Sequence, residues 1–171
     1  MELRNWVKAA IFSATSIGLG FMFMLIPNIE FISVTIFLSG LTLGARFGLI
    51  IGCTSMMIYS ILNPMGSGLV YLPLLVGQTI GMAGIGLAGA FFGKVTKGFP
   101  IKLIIIFSGI SGFLCALWYD GITTIAYPIS AGYGWDETLA YAVSGLLFTF
   151  LHLISNTLIF PLVITSYLKR S

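Results

Sequence analysis

The chain has 171 residues, of which 58% are hydrophobic and 8% charged, with a net charge of +3. Soluble domains carry about 25% charged residues, so a water-soluble fold is excluded, and the small positive balance reports topology rather than a nucleic-acid partner. A bilayer core takes about 20 apolar residues per helix, so this length holds six spans and short loops in one domain, residues 1–171.

The first apolar run is uncharged from Ala9 to Ile29, and no Ala-x-Ala-like cleavage site stands out after it. It therefore reads as a retained span, not a cleaved signal. Span 1 is expected over about 6–26, closed by a turn at Pro27, Asn28, Ile29 and Glu30. Span 2 covers about 31–43 and span 3 about 48–62, joined by a tight turn over 44–48. Each is nearer 15 than 20 residues and reaches only ~22 Å at 1.5 Å per residue. Such helices fall short of ~30 Å of hydrocarbon, so their shared turn must sit deep or the bilayer must thin there. A loop rich in turn residues follows at 63–68, then span 4 over about 69–92. The loop 93–100 holds Lys94 and Lys97. Span 5 covers about 101–126, a loop follows over 127–136, and span 6 runs over 137–168 with a kink expected at Pro161. No internal repeat stands out, so an inverted-repeat carrier has no support.

This threading sorts the charges. Arg4, Lys8, Arg46, Lys94, Lys97, Lys102, Lys169 and Arg170 fall on one side; Glu30, Asp120, Asp136 and Glu137 fall on the other. Only Glu2 joins the basic side. Cytoplasmic loops are enriched in Lys and Arg. The expected fold is thus all-α, a six-helix transmembrane bundle with both termini cytoplasmic.

Small residues recur at four-residue spacing: Ala10 and Ala14; Gly44, Gly48 and Gly52; Gly77 and Gly81; Gly89 and Gly93; Ser108, Gly112 and Ala116. In lipid such faces let helix backbones approach closely. In spans 3 to 5 they read as packing within the chain. On span 1 the Ala10–Ala14 face is placed to dock a second protein. Cys53 and Cys115 lie in apolar runs without metal spacing and read as packing residues.

Polar groups inside a bilayer are expensive and mark sites. Here they gather in the outer half: Asn28, Glu30, Tyr59, Asn63, Tyr71, Gln78, Trp118, Tyr119, Asp120, Thr123, Thr124, Tyr127, Tyr133 and Trp135. His152 and Asn156 lie deeper, four residues apart on one face of span 6. For Tyr127, Tyr133 and Trp135 the aromatic belt of the membrane interface is the simpler reading. Gln78 and His152 fit an interhelical hydrogen bond as well as a site. The asymmetry points to a pocket open outward and closed below, with the 27–30 turn as its lid. The binding residues expected are Asn28, Glu30, Asn63, Tyr71, Gln78, Trp118, Tyr119, Asp120, His152 and Asn156, with the ligand ring stacked on Trp118 or Tyr119. No Lys or Arg falls in the outer half, so a neutral or cationic planar ring fits better than an anion.

In length, span count, orientation and outer-half polarity, together with the Ala10-Ile-Phe-Ser-Ala14 stretch, the chain resembles the S components of energy-coupling-factor (ECF) vitamin transporters. The resemblance implies a six-helix subunit of the bacterial inner membrane that binds a vitamin-like, heteroaromatic molecule. It implies that Ala10 and Ala14 meet the coupling helices of a membrane T component. ATP is then used by two ATP-binding cassette subunits, with no cofactor in this chain. The sequence agrees in what it lacks: it has no Gly-x-x-x-x-Gly-Lys-Ser/Thr loop and no chain of intramembrane carboxylates for an ion relay.

Three other readings compete: a non-transporting scaffold subunit, a self-sufficient small carrier, and a rhomboid-like protease. The last rests on Gly109-Ile-Ser111-Gly112 with His152 on the next span. Counting from the inner ends, Ser111 is ~15 Å deep and His152 ~24 Å. That gap exceeds hydrogen-bond reach for a dyad, so the chain is not read as an enzyme.

Overall fold

In lipid, backbone N–H and C=O groups must be satisfied within the segment, and every apolar run of this chain becomes a helix. The computed structural model describes residues 3–169. Glu2 and Arg170, included in the charge partition, lie outside the described residues. Those residues form seven α-helices, a 3-10 turn at Gly68–Val70 and no strand. The helices are α1 (Leu3–Phe23), α2 (Ile32–Leu43), α3 (Ala45–Leu62), α4 (Leu72–Val95), α5 (Ile101–Ala131), α6 (Trp135–Ser144) and α7 (Leu146–Leu168). Five of them, α1, α3, α4, α5 and α7, are long and apolar enough to cross a membrane. Large side chains such as Phe91 (69% exposed) and Leu147 (72%) cover their outer faces, as suits contact with lipid. The chain is a helical, multi-pass membrane protein.

Side-chain contacts fix the helix directions. Trp6 packs on Phe47, and the Thr42 and Tyr167 hydroxyls hydrogen bond, at one end. Phe21 meets Tyr59, and Ser60 donates to Gln78, at the other. The long helices therefore alternate in direction. Arg4, Arg46, Lys94, Lys97, Lys102 and Lys169 lie at helix ends or connections on one side, the basic end. Glu30, Asp136 and Glu137 lie at the opposite, acidic end.

Helix α2 is the axis of the bundle. Residues Ile32 through Gly40 are all buried. A helix apolar all round belongs inside a protein, and at 12 residues it spans only ~18 Å. It is surrounded by α1, α3, α4 and α7. Phe37 sits at its centre, with ring contacts to Phe92 at 5.3 Å and Phe160 at 5.2 Å.

The approach of α2, α3 and α4 depends on missing side chains. A Cβ at Gly40 or Gly48 would collide with the Gly86 carbonyl, and one at Gly89 with the Phe37 carbonyl. The small-residue faces of α3 and α4 are thus seams within the chain. On α5 the corresponding face meets α7, where Gly112 lies against the Asn156 backbone.

Several boundaries differ from the sequence reading, four of them for a plain physical reason. The 44–48 turn shrinks to Gly44, whose φ of 87° reverses the chain in one residue, so α3 begins at Ala45. Span 4 begins as the short 3-10 turn, with α4 following at Leu72 and Pro73 in its first turn. Helix α5 continues through Pro128 to Ala131. Its end is capped by Gly132 in the left-handed region, with Tyr133 N–H donating to Pro128 O. The stretch read as span 6 divides at Gly145 into α6 and α7. Helix α6 buries none of its residues and lies at the acidic end, with Asp136 and Glu137 in its first turn. Helix α7 runs unbroken past Pro161, so no helix boundary falls there.

Candidate functional site

The acidic end holds a cavity of about 720 Å³, inside the ~300–1,000 Å³ range of small-molecule sites. Its roof is the connection between α1 and α2, which contributes Met24, Pro27, Asn28 and Glu30. Helices α4, α5 and α7 contribute Gln78, Tyr119, Asp120, Thr123 and His152. Met56 and Met82 line its lower part. Towards the basic end Ile51, Ile85 and Phe37 are fully buried, so the space does not continue through the bundle.

The roof is held by local geometry. Asn28 takes a positive φ of 61°, and Ile29 N–H donates to Ile26 O, which turns the chain over the cavity. Glu30 then caps α2, its Oε2 accepting the Ser33 N–H at 2.9 Å. A carboxylate is favoured there by the unpaired N–H groups of the helix start. Burial pushes the Glu30 carboxyl upward, but His152 and the Ser33 hydrogen bonds outweigh it and hold it below the usual carboxylate range.

The charged groups of the cavity form a triad. His152 Nδ1 is 2.9 Å from Asp120 Oδ1, and its Nε2 is 3.7 Å from Glu30 Oε1. The His152 and Asp120 side chains are each 7% exposed. Three segments distant in sequence meet here: the α1–α2 connection, α5 and α7. Tyr119 stands edge-on to His152 at 6.5 Å, and Phe148 lies at 6.3 Å. Gln78 accepts from Ser60 through its amide oxygen, which leaves its amide N–H groups to act as donors in the cavity.

Of the ten residues expected to bind ligand, six line this cavity: Asn28, Glu30, Gln78, Tyr119, Asp120 and His152. Four lie elsewhere. Trp118 is 48% exposed on the outer face of α5 and donates its Nε1–H to Gly81 O. Tyr71 is tied to Ser130 and packs on Tyr127, beyond the cavity wall. Asn63 accepts from Met65 N–H within its own loop. Asn156 is buried one turn below His152, whose carbonyl accepts from the Asn156 amide. No family model, curated protein or solved structure matches the chain.

The sequence reading passed over several cavity residues. Ser33, in the short span 2, is absent from the polar residues singled out in the sequence. Tyr141, Ser144 and Thr149 flank Gly145, inside what read as one continuous span. That span had 32 residues in the sequence, about 48 Å of helix, and this excess over a bilayer was the signal that it must fold over. The small-residue face of α1 also resolves. Ala9, Ser16 and Gly20 are buried, whereas Ala10 and Ala14 face outward and the space over Gly18 is open. Ser111 is not the partner of His152, whose ring nitrogens face Asp120 and Glu30.

Proposed function

We propose that this protein is the substrate-binding membrane subunit of an uptake system, of the kind found as S components of ECF vitamin transporters. The acidic end faces outward, both termini are cytoplasmic, and six helices including the short α2 form the bundle in a bacterial inner membrane. The cavity takes a small, vitamin-like, heteroaromatic molecule that is neutral or cationic. A T component and two ATP-binding cassette subunits supply the energy, and this chain is not an enzyme. The supporting observation is the cavity itself: polar and aromatic at one end of the bundle, shut off from the other by buried Ile51, Ile85 and Phe37. Such a site binds from one side and needs a partner to release on the other. The outward Ala10 and Ala14 offer the partner a close-approach face on α1.

Ala10→Trp and Ala14→Trp test the reading. Both positions are exposed, so the purified variants should fold and bind ligand as the parent does. Uptake by cells carrying all subunits should be lost. Parallel loss of binding and uptake would make that face an internal seam and sink the docking assignment. Orientation is tested by labelling single cysteines at Met65, Gly134 and Lys97, all exposed, in a chain freed of Cys53 and Cys115. Impermeant reagent applied outside should reach the first two and spare the third.

A further inference from the structure

Three residues lining the cavity each leave a buried side-chain oxygen without a hydrogen bond in the protein: Asn28 Oδ1, Asp120 Oδ2 and Glu30 Oε1, which has His152 Nε2 only at 3.7 Å. Two of these are carboxylate oxygens, which only accept while ionised. Asp120 is 6% exposed, and a buried acceptor left unmade is expensive. Charge is unbalanced in the same direction. Two carboxylates flank one imidazole, so the triad is net negative even when His152 is protonated. No Lys or Arg lines the cavity. Aromatic rings of Tyr119 and Phe148 stand beside His152, and an aromatic face favours a cation over an anion.

We infer that the ligand is a cation that presents at least two N–H donors from a flat nitrogen group, an amidinium or a protonated amino-heterocycle, to Asp120 and Glu30. The donors satisfy the two orphaned carboxylate oxygens, the positive charge cancels the excess negative charge of the triad, and the plane lies among the rings. A quaternary ammonium supplies charge without donors. A neutral amide supplies donors without charge. This assignment rests on the reading of the cavity as a ligand site, and the test separates the two.

Purified full-length protein in lipid nanodiscs is titrated by calorimetry with four probes built on one naphthalene ring: 2-naphthamidine, 2-naphthamide, 2-naphthoate and (2-naphthylmethyl)trimethylammonium. The amidine is expected to bind roughly tenfold or more tighter than the amide and the quaternary ammonium, since charge-assisted hydrogen bonds are the strong ones. The naphthoate is expected not to bind. Asp120→Asn and Glu30→Gln should each erase most of the amidine's advantage over the amide. Equal binding of amidine and amide, or any binding of naphthoate, overturns the charge assignment and leaves the cavity's role standing. Equal binding of amidine and quaternary ammonium overturns the donor assignment alone. If no probe binds, both the assignment and the site fall. The wild-type series decides the matter even if a variant fails to fold.

Discussion

The two ends of this bundle are built by opposite rules. Towards the basic end α2, α3 and α4 meet backbone to backbone through Gly40, Gly48, Gly86 and Gly89, with Phe37, Phe92 and Phe160 filling the remaining space. At the acidic end the α1–α2 connection, α4, α5 and α7 enclose a cavity edged by carboxylate oxygens that accept no hydrogen bond. Van der Waals packing drives helix association in lipid, so the glycine seam carries stability that the open end forgoes. Unsatisfied polar groups at a site must be held in place by rigid packing elsewhere. Substitutions should therefore separate cleanly: those in the seam act on folding, those in the cavity act on binding.

The largest effect is expected in the seam. Gly86→Val puts a branched side chain against the Gly48 backbone carbonyl, which cannot rotate away as a side chain can. Overpacking ordinarily costs about 1–3 kcal/mol and occasionally more, and a collision with backbone belongs at the top of that range. The variant should lose its monodisperse peak on size exclusion. A folded variant of normal thermal stability would show that α3 and α4 part easily, and the contrast between the two ends would break down.

The next effect is in the cavity. His152→Ala removes the imidazole that stands between Asp120 and Glu30. Hydrogen bonds to charged groups contribute about 1.5–3 kcal/mol. With the bond that orients Asp120 gone, the two carboxylates no longer hold the spacing the ligand's donors need, and affinity should fall by roughly ten- to a hundredfold. The glycine seam is untouched, and the purified protein should still be helical and monodisperse. Calorimetry together with circular dichroism checks both halves of this expectation. Unaltered affinity would place the ligand away from the triad.

Helix directions and the polar end were legible because hydropathy and charge survive any detail of packing. The exact cavity wall was not. Trp118 and Asp120 are both polar-capable and two residues apart, which invites reading them as one wall. Two residues are about 200° around a helix, so once Asp120 faces inward Trp118 must face the lipid. Asn156 shares a face with His152 but lies a full turn lower, beneath the cavity. The end of α5 was misread for a different reason. Pro128 signals a stop, but it lies in the last turn, and the chain gains there the Gly132 cap and the Ser130 hydroxyl bonded to Ala126 O. The exposed face of Ala10 and Ala14 could not be told from a packed one until the burial of Ala9, Ser16 and Gly20 fixed the rotation of α1.

Trp118 gives a smaller effect that sharpens the same boundary. Trp118→Phe deletes the hydrogen bond to Gly81 O and loosens the packing over Gly84. A neutral hydrogen bond is worth about 0.5–1.5 kcal/mol, so thermal stability should drop modestly while ligand affinity stays the same. Weakened binding without a change in stability would bring Trp118 back into the ligand's wall and move the cavity's edge outward.

The smallest effect is expected at α6, the element that belongs to neither end's rule. It buries no residue, yet its Tyr141 and Ser144 face the cavity. Its start is held by Glu137 Oε2 accepting the Gly134 N–H at 2.8 Å, with Asp136 beside it in the first turn. Acidic groups at a helix start contribute about 0.3–1 kcal/mol, little enough that global unfolding should hardly register Glu137→Ala. Local opening should register it, because weakly packed elements exchange through low-energy fluctuations. Amide hydrogen exchange should quicken in the first turn of α6 and remain unchanged in α2. If α6 walls the cavity mouth, ligand dissociation should also quicken, by no more than the few-fold that such an energy allows. Faster exchange with unaltered dissociation would leave the mouth to the 24–31 connection alone, and Glu30 would then be both the cap of α2 and the latch over the ligand.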